Sequence, residues 1–274
     1  MPADLHLHTT ASDGTWTPEE LTQQAYYRGF SVISVTDHDS TDNVLPAIQS
    51  APTGLSVIPG IELSTDYKGS EVHILGYFLD VTDQNLQETL VERRESRLTR
   101  AEKMVSKLNA LNMPLTFDSV VKLADGAAVG RPHVAQALVT EGYVPTISAA
   151  FKQWIGKDKP AYVPHFKLTP QQAIRLILSC RGIPVLAHPG LIGNDPIIYE
   201  LTESGLLGLE VLHSSHNNWQ QSHYLMMCNN LDLLPTGGSD CHGPGGKDNI
   251  YLGSIHVPDR WVCQLQEYMK KHNY

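Results

Sequence analysis

The sequence has few cysteines and no long apolar run. Its four cysteines are Cys180, Cys228, Cys241 and Cys263, and no two of them form a Cys-x-x-Cys pair. This spacing argues against a zinc knuckle and against a disulfide framework, so we expect a reduced, cytoplasmic protein. No apolar run approaches the roughly 20 residues that span a bilayer, and the N-terminal residues do not resemble a secretory signal. We therefore expect no membrane association.

Basic residues are also scarce. Twenty Lys and Arg stand against 29 Asp and Glu, which gives a formal net charge of −9. A surface that binds duplex nucleic acid needs clustered Lys and Arg, so we expect no duplex partner. A phosphorylated substrate stays compatible with this charge, because acids and histidines that hold cations create a positive local field. The 13 histidines are the unusual feature of the composition.

Short apolar segments alternate with amphipathic helical patterns along the 274 residues. This alternation predicts an α/β fold with a parallel sheet, and seven strands favour a barrel over an open sheet. Two capping boxes, Thr17-Pro18-Glu19-Glu20 and Thr169-Pro170-Gln171-Gln172, mark helix starts. The predicted strands are Ala3–His8, Ser31–Thr36, Leu55–Pro59, Val72–Phe78, Ile183–Ala187, Leu207–Leu212 and Leu231–Thr236.

One long stretch interrupts the alternation. Between about residues 84 and 159 no strand is predicted, and a helical pattern runs from Leu86 to Leu111. Shorter helices are expected at Ser119–Leu123, Pro132–Thr140 and Ile147–Ile155. We therefore predict a barrel built from residues 1–83 and 160–274, with residues 84–159 forming a helical insertion. At the C-terminal face of a barrel such an insertion caps the site.

Histidines and acids recur at the predicted strand ends. His6 and His8 lie two residues apart, so they point to the same face of the first strand, as a metal-binding pair does. The alternative for this pair alone is two hydrogen-bonded core histidines. Core histidines would show no preference for strand ends, whereas the C-terminal ends of barrel strands converge on one face. The further candidates at or near those ends are Asp13, His38, Glu62, His73, His188, Asp240 and His242.

These nine side chains predict a metal centre. Histidines with carboxylates suit Mn²⁺, Fe²⁺ or Zn²⁺ and are too rich in nitrogen for Ca²⁺ or Mg²⁺. Nine candidate ligands exceed the needs of one ion and suit two, or three with a bridging carboxylate. Divalent ions lower the pKa of bound water, so no side chain is predicted to act as a nucleophile.

The motifs at these positions resemble those of the PHP (polymerase and histidinol phosphatase) superfamily, in the same order along the chain. The resemblance implies a distorted seven-stranded TIM-like barrel. Among its members the sequence is most similar to small bacterial phosphoesterases that act as 3′,5′-nucleoside bisphosphate phosphatases and as 5′→3′ exonucleases on short oligonucleotides. The motifs are His6-Leu7-His8, Thr36-Asp37-His38, Pro59-Gly60-Ile61-Glu62, Val72-His73-Ile74-Leu75-Gly76-Tyr77, Ala187-His188-Pro189 and Ser239-Asp240-Cys241-His242-Gly243.

The resemblance also implies how the ligands are shared. His6, His8, Glu62 and Asp240 would hold one ion, and Asp13, His38 and His242 a second. His73 and His188, with Glu62 as a bridge, would hold a third.

Three further residues are predicted to bind substrate phosphate. Arg131 and His133 flank Pro132 at a helix start, where free N–H groups and the helix dipole attract anions. On local sequence alone an ordinary capped surface helix is the alternative, and the resemblance favours the phosphate contact. The resemblance likewise suggests that His213 and His216 line the pocket and that His216 contacts phosphate.

Other functions remain open. A metal-dependent amidohydrolase often has a lysine bridging two metals, and no predicted strand end carries one. A histidinol-phosphate or other sugar phosphatase would have the same metal ligands. A metal or nucleotide sensor without activity would be expected to lack ligands, whereas this set looks complete. We expect a monomer or weak oligomer that binds a small phosphorylated nucleotide or a short single-stranded oligonucleotide.

Overall fold

The computed structural model describes residues 2–124, 129–164, 168–245 and 251–272. Seven strands form one sheet in which each strand pairs with its neighbour in the chain. The number of strands agrees with the sequence-based prediction. The strands are β1 (Ala3–Leu7), β2 (Val32–Val35), β3 (Ser56–Tyr67), β4 (Ser70–Tyr77), β5 (Ile183–Leu186), β6 (Gly208–His213) and β7 (Leu234–Gly238).

The sheet curls into a nearly closed barrel. The chain just after β7 meets β1, where the Asp240 N–H donates to the His6 carbonyl at 3.0 Å and the His8 N–H donates to the Cys241 carbonyl at 3.1 Å. These bonds bring the two ends of the sheet together beside the histidine pair. The predicted TIM-like barrel is therefore confirmed.

The prediction of an all-parallel sheet was wrong at one strand. β4 is antiparallel to both β3 and β5, while the other neighbouring pairs are parallel. β3 and β4 form a hairpin through Lys68 and Gly69, whose φ values of 53° and 85° fit a tight two-residue turn. The sequence prediction ended the third strand at Pro59, where a glycine-containing segment begins, although the strand continues to Tyr67.

Helices occupy most of the other connections and the insertion. Both predicted capping boxes are present, and the side chains of Thr17 and Thr169 accept the N–H groups of Glu20 and Gln172 at 3.2 Å. The helices are α1 (Pro18–Tyr27), α2 (Val44–Ser50), α3 (Gln84–Ala110), α4 (Phe117–Ala124), α5 (Arg131–Thr140), α6 (Ile147–Ala150), α7 (Pro170–Ser179), α8 (Pro189–Ile192), α9 (Pro196–Glu203), α10 (Asn218–Leu231) and α11 (Asp259–Lys271). A π-helical turn, Phe151–Ile155, follows α6.

The chain divides into two compact units, Met1–Gln87 with Lys167–Tyr274, and Glu88–Phe166. The first unit contains the barrel. The second has an apolar core of its own, which includes Met104, Leu108, Val120, Val134 and Leu138. The role of this unit as a cap stays a prediction. Among the described residues, no helix combines the length and apolar character that crossing a membrane requires.

Strand β1 is buried on both faces, and apolar residues alternate with histidines along it and at its end. Leu5 and Leu7 have no exposed surface, and neither do His6 and His8. Because successive side chains point to opposite faces of a strand, the leucines lie on one face of the sheet and the histidines on the other. The apolar face anchors the strand in the core while the other carries the imidazole pair.

Glycine at position 238 allows β7 to approach β1. A Cβ atom at Gly238 would lie 2.2 Å from the Cβ of His6 and 2.4 Å from its backbone nitrogen. Contacts this short force atoms apart, and here one of the obstacles is backbone. The position of His6 therefore depends on the absence of a side chain at residue 238.

We predict that Gly238→Ala destabilises the metal-free protein by roughly 1–3 kcal/mol, because the added methyl group overpacks a rigid contact. Urea unfolding in the presence of a chelator measures this change. Gly76→Ala is the matched control, since the three atoms nearest to its Cβ would all belong to the flexible Ile177 side chain, the first at 3.1 Å. Equal stability losses in the two variants would contradict the proposed backbone constraint.

Candidate metal centre

The carboxylate of Glu62 lies at the centre of the histidine cluster. Strand β3 carries it inside the barrel, where its side chain is almost fully buried. Its Oε2 atom lies 3.4 Å from Nε2 of His6 and 3.4 Å from Nε2 of His8. Asp240 faces the same two imidazoles, with Oδ1 at 3.4 and 3.0 Å from these nitrogens. These four residues match the first ligand group that the family resemblance implied.

A second group adjoins the first and shares His8 with it. Asp13 lies 3.2 Å from Nε2 of His242 and 3.9 Å from Nε2 of His38. The other nitrogen of His38 is 2.8 Å from Glu62. His38 therefore contacts acids in both groups. The sequence prediction named Asp13, His38 and His242 for this group but not His8.

The loop that carries Asp13 is held by a buried acid. Asp37 accepts the Thr9 N–H at 2.7 Å and the Ser12 hydroxyl at 2.6 Å. These hydrogen bonds fix the turn after β1, which sets the position of Asp13.

A third group uses the other oxygen of Glu62. Oε1 lies 2.9 Å from Nδ1 of His73 and 3.1 Å from Nε2 of His188. The sequence prediction placed candidate residues toward strand C-termini, but His73 lies in the first half of β4. Because β4 runs antiparallel to its neighbours, its first half reaches the rim that the C-terminal ends of the parallel strands form. His73 therefore reaches the cluster by a different route from the other candidates.

The unpaired ring nitrogens in this cluster, together with one oxygen of Glu62, fit divalent ions. Nine side-chain atoms here are buried without a hydrogen-bond partner among the described residues, and each would cost about 1–3 kcal/mol if left unsatisfied. Four groups of His, Asp and Glu offer ligand atoms that, within each group, lie within 4.8 Å of one another. The nine atoms are His6 Nε2, both ring nitrogens of His8, His38 Nδ1, Glu62 Oε2, His73 Nε2, His188 Nδ1, His213 Nε2 and His242 Nε2. Bound cations would satisfy those atoms that present a lone pair to them.

The protonation states of His8 and Glu62 suit metal binding. Burial lowers the pKa of His8 to about 4, and the neighbouring His242 adds to this effect. Burial opposes ionisation of Glu62, but the facing imidazoles, first that of His38, outweigh it and hold the pKa of this carboxyl well below its usual value. Metals bind neutral imidazoles and ionised carboxylates, so these are the forms required. At four other histidines burial favours the neutral ring, but neighbouring carboxylates outweigh it and raise the pKa, so a bound metal would displace a proton from His6, His38, His73 and His242.

Sequence analysis missed Glu210 as part of the site. This carboxylate in β6 has no exposed surface. It contacts Nδ1 of His6 at 2.9 Å and accepts the backbone N–H of His188 at 2.7 Å. The bond to His6 places a proton on Nδ1 and leaves the lone pair of Nε2 facing Glu62 and Asp240. The feature of the sequence that could have identified Glu210 is the presence of an acid in the middle of an apolar strand.

Of the four residues predicted to line the pocket or to bind phosphate, His213 contacts the cluster, with Nε2 at 3.5 Å from Asp240. His216 instead bonds to the protein through both ring nitrogens, to the Val211 carbonyl and the Gly190 N–H. Arg131 and His133 belong to the second unit, at the start of α5, and their substrate contacts stay predictions.

Comparison with known proteins gives consistent matches. A family model described as the PHP domain matches residues 4–152. The chain is 33% identical to the 5′-3′ exoribonuclease Rnm of Escherichia coli K12, over 88% of this chain and 85% of that protein. It is 32% identical to a 3′,5′-nucleoside bisphosphate phosphatase of Chromobacterium violaceum, over 89% of each chain.

A solved structure from Bifidobacterium adolescentis, assigned as a metal-dependent phosphoesterase, superimposes with a TM-score of 0.84 at 31% identity. The match covers 97% of this chain and 96% of that chain. Together with the barrel and its rim of imidazoles and carboxylates, these matches define the class as the metal-dependent phosphoesterases. The chain belongs to the PHP domain family, as the motifs predicted.

We predict that Glu210→Gln weakens Mn²⁺ binding by about 10–100-fold, the usual cost of losing the partner that orients a metal-ligating histidine. The amide can accept one of the two hydrogen bonds but must turn its NH₂ group toward the other donor. Calorimetric titration of the metal-free protein measures the change. Glu200→Gln, on the exposed face of α9, is the control, and unchanged affinity in both variants would refute the orienting role.

Proposed function

We propose that this protein hydrolyses phosphate monoesters of small nucleotides, with the 3′-phosphate of nucleoside 3′,5′-bisphosphates as the preferred target. The observation that carries the proposal is the set of buried, unpaired ring nitrogens around Glu62, together with Oε2 of Glu62 itself. The names of the two curated relatives, both of which concern nucleotides or RNA, support the substrate class.

The proposed metal ligands form three overlapping groups around Glu62. The first comprises His6, His8, Glu62 and Asp240, the second Asp13, His38 and His242 with His8, and the third His73 and His188 with Glu62. We propose that they hold two or three ions of Mn²⁺, Fe²⁺ or Zn²⁺. When bound, such ions lower the pKa of water and neutralise the charge of phosphate oxygens.

The protein groups around the cluster have supporting roles in this proposal. Glu210 keeps the proton of His6 on Nδ1, and Asp37 keeps Asp13 in place through Thr9 and Ser12. His213 faces Asp240, which brings a further imidazole to the edge of the cluster. Its Nδ1 accepts the Ser215 N–H at 3.1 Å, so the neutral ring carries its proton on Nε2. This proton is available to Asp240 or to a phosphate oxygen.

We propose that Arg131 and His133 bind the second phosphate of the substrate. Arg131 begins α5, and its guanidinium lies 5.4 Å above the ring of Phe151. His133 accepts the Gly130 N–H through Nδ1 at 3.0 Å, so the neutral ring carries its proton on Nε2. An arginine fork and an imidazole N–H at a helix start together suit a phosphate dianion.

A second activity, stepwise 5′→3′ cleavage of short RNA, is favoured by the 33% identity to the Escherichia coli exoribonuclease over most of both chains. The metal ligands required are the same. The acidic balance of the chain favours short single strands over duplexes as substrates.

We expect the Mn²⁺-loaded protein to release phosphate from adenosine 3′,5′-bisphosphate, and Asp240→Asn to lower kcat/KM by about 100-fold or more. Losing a ligand should cost at least as much as losing a partner that orients one, which is about 10–100-fold. Asp118→Asn, exposed on α4, is the control and should match the wild type. If metal-loaded wild-type protein released no phosphate, the bisphosphate assignment would fail, and histidinol phosphate and short RNA would be tested next.

Arg131→Ala tests the second phosphate separately. Removing charged hydrogen bonds worth about 1.5–3 kcal/mol should raise KM for adenosine 3′,5′-bisphosphate roughly 10–100-fold. The KM for adenosine 3′-monophosphate, which lacks the second phosphate, should not change. Arg175→Ala, exposed on α7, is the control. An equal effect on both substrates would mean that Arg131 does not recognise the second phosphate.

A further inference from the structure

The turn after β5 holds His188 in an unfavourable backbone conformation. His188 has φ 29° and ψ 58°, a region that residues other than glycine rarely occupy. The next residue is Pro189, which normally drives the residue before it toward an extended conformation. Surrounding groups must therefore hold this turn, which comprises His188, Pro189 and Gly190.

Both backbone N–H groups of the turn are bonded to side chains from β6 and the loop after it. The His188 N–H donates to Glu210 at 2.7 Å, and the Gly190 N–H donates to Nε2 of His216 at 3.1 Å. Pro189 has no N–H group. Two side chains thus satisfy every backbone donor in the turn.

The chemistry of His216 makes it an acceptor at this point. Its Nδ1 faces the Val211 carbonyl at 2.9 Å, and a carbonyl can only accept, so the proton lies on Nδ1. Nε2 then has the lone pair that Gly190 requires. The neutral ring has no further N–H for a phosphate, which disagrees with the role that the sequence suggested for His216.

The packing supports the same reading. His216 is 5% exposed. A Cβ atom at Gly190 would lie 2.7 Å from Cδ2 of the ring, so glycine allows the imidazole to approach the backbone. The ring thus fits between the strand and the turn and faces inward rather than toward solvent.

We propose that His216 is a positioning residue that holds the His188–Gly190 turn and thereby keeps Nε2 of His188 at 3.1 Å from Glu62. This inference rests on the proposed function, because it takes His188 to be a metal ligand. Glu210 contacts both His6 and His188, whereas His216 holds only the turn. His216 therefore affects the third ligand group, formed by His73, His188 and Glu62, without touching the first.

Two amide substitutions separate the two bonds of His216. His216→Asn keeps a donor near Nδ1 for the Val211 carbonyl but is too short to reach Gly190. His216→Gln reaches the position of Nε2 and offers an oxygen to the Gly190 N–H. Both side chains are neutral and polar, so a difference between them reports on the bond to Gly190.

The measurement is calorimetric titration of each metal-free protein with Mn²⁺, which needs no turnover and so stays independent of the substrate assignment. We expect the weakest Mn²⁺ binding step to weaken about 10-fold in His216→Asn and to stay near the wild-type value in His216→Gln. His223→Gln, whose ring bonds Asp195 outside the cluster, is the control.

Two results would overturn the inference. One is unchanged Mn²⁺ affinity in His216→Asn, above all if inorganic phosphate then binds the loaded variant more weakly, as expected of a phosphate contact. The other is an equal loss in both variants, because glutamine retains the acceptor for Gly190.

Discussion

The contacts between one buried carboxylate and its imidazoles are what the rest of the structure depends on. Glu62 has five histidines within 3.4 Å of its two oxygens, contributed by β1, β4 and the chain just after β1, β2 and β5. An ionised acid buried in this way costs several kcal/mol unless cations and hydrogen bonds compensate it. The barrel brings those partners together from strands that are distant in sequence. The same close spacing of imidazoles and carboxylates makes the rim suitable for binding divalent ions.

This arrangement is maintained against local preferences of the backbone. Asp39, His188 and Asp240 all have positive φ values, between 29° and 59°, and each lies at or beside the cluster. Such conformations persist only where the surroundings fix them. Here the surroundings are hydrogen bonds, such as that from the Asp240 N–H to His6 and that from the Ser64 N–H to Asp39. The rigid barrel therefore supplies the stability that the strained site lacks.

The candidate metal ligands could be predicted from the sequence because their spacing matches the periodicity of a β-strand. His6 and His8 alternate with leucines, and a strand is the only regular element that places such a pair on one face. The β3–β4 hairpin was not predicted, since its polar stretch after Pro59 lacks an apolar run and the Lys68-Gly69 turn gives a weak signal. Glu210 was also missed, because an acid inside an apolar strand can be recognised as useful only once its partners, His6 and the His188 N–H, are known.

His213 and His216 show why composition alone cannot assign roles at such a site. Both imidazoles belong to one short segment, residues 213–216, and both are buried. His213 accepts the Ser215 N–H through Nδ1, so its other nitrogen faces Asp240 and the cluster. His216 donates through Nδ1 and accepts through Nε2, so both nitrogens are already used by the backbone. A histidine can bind a metal or a phosphate only through a ring nitrogen that is not already hydrogen-bonded within the protein. Which nitrogen is available depends on the neighbours of the ring in the folded structure and not on the residue type.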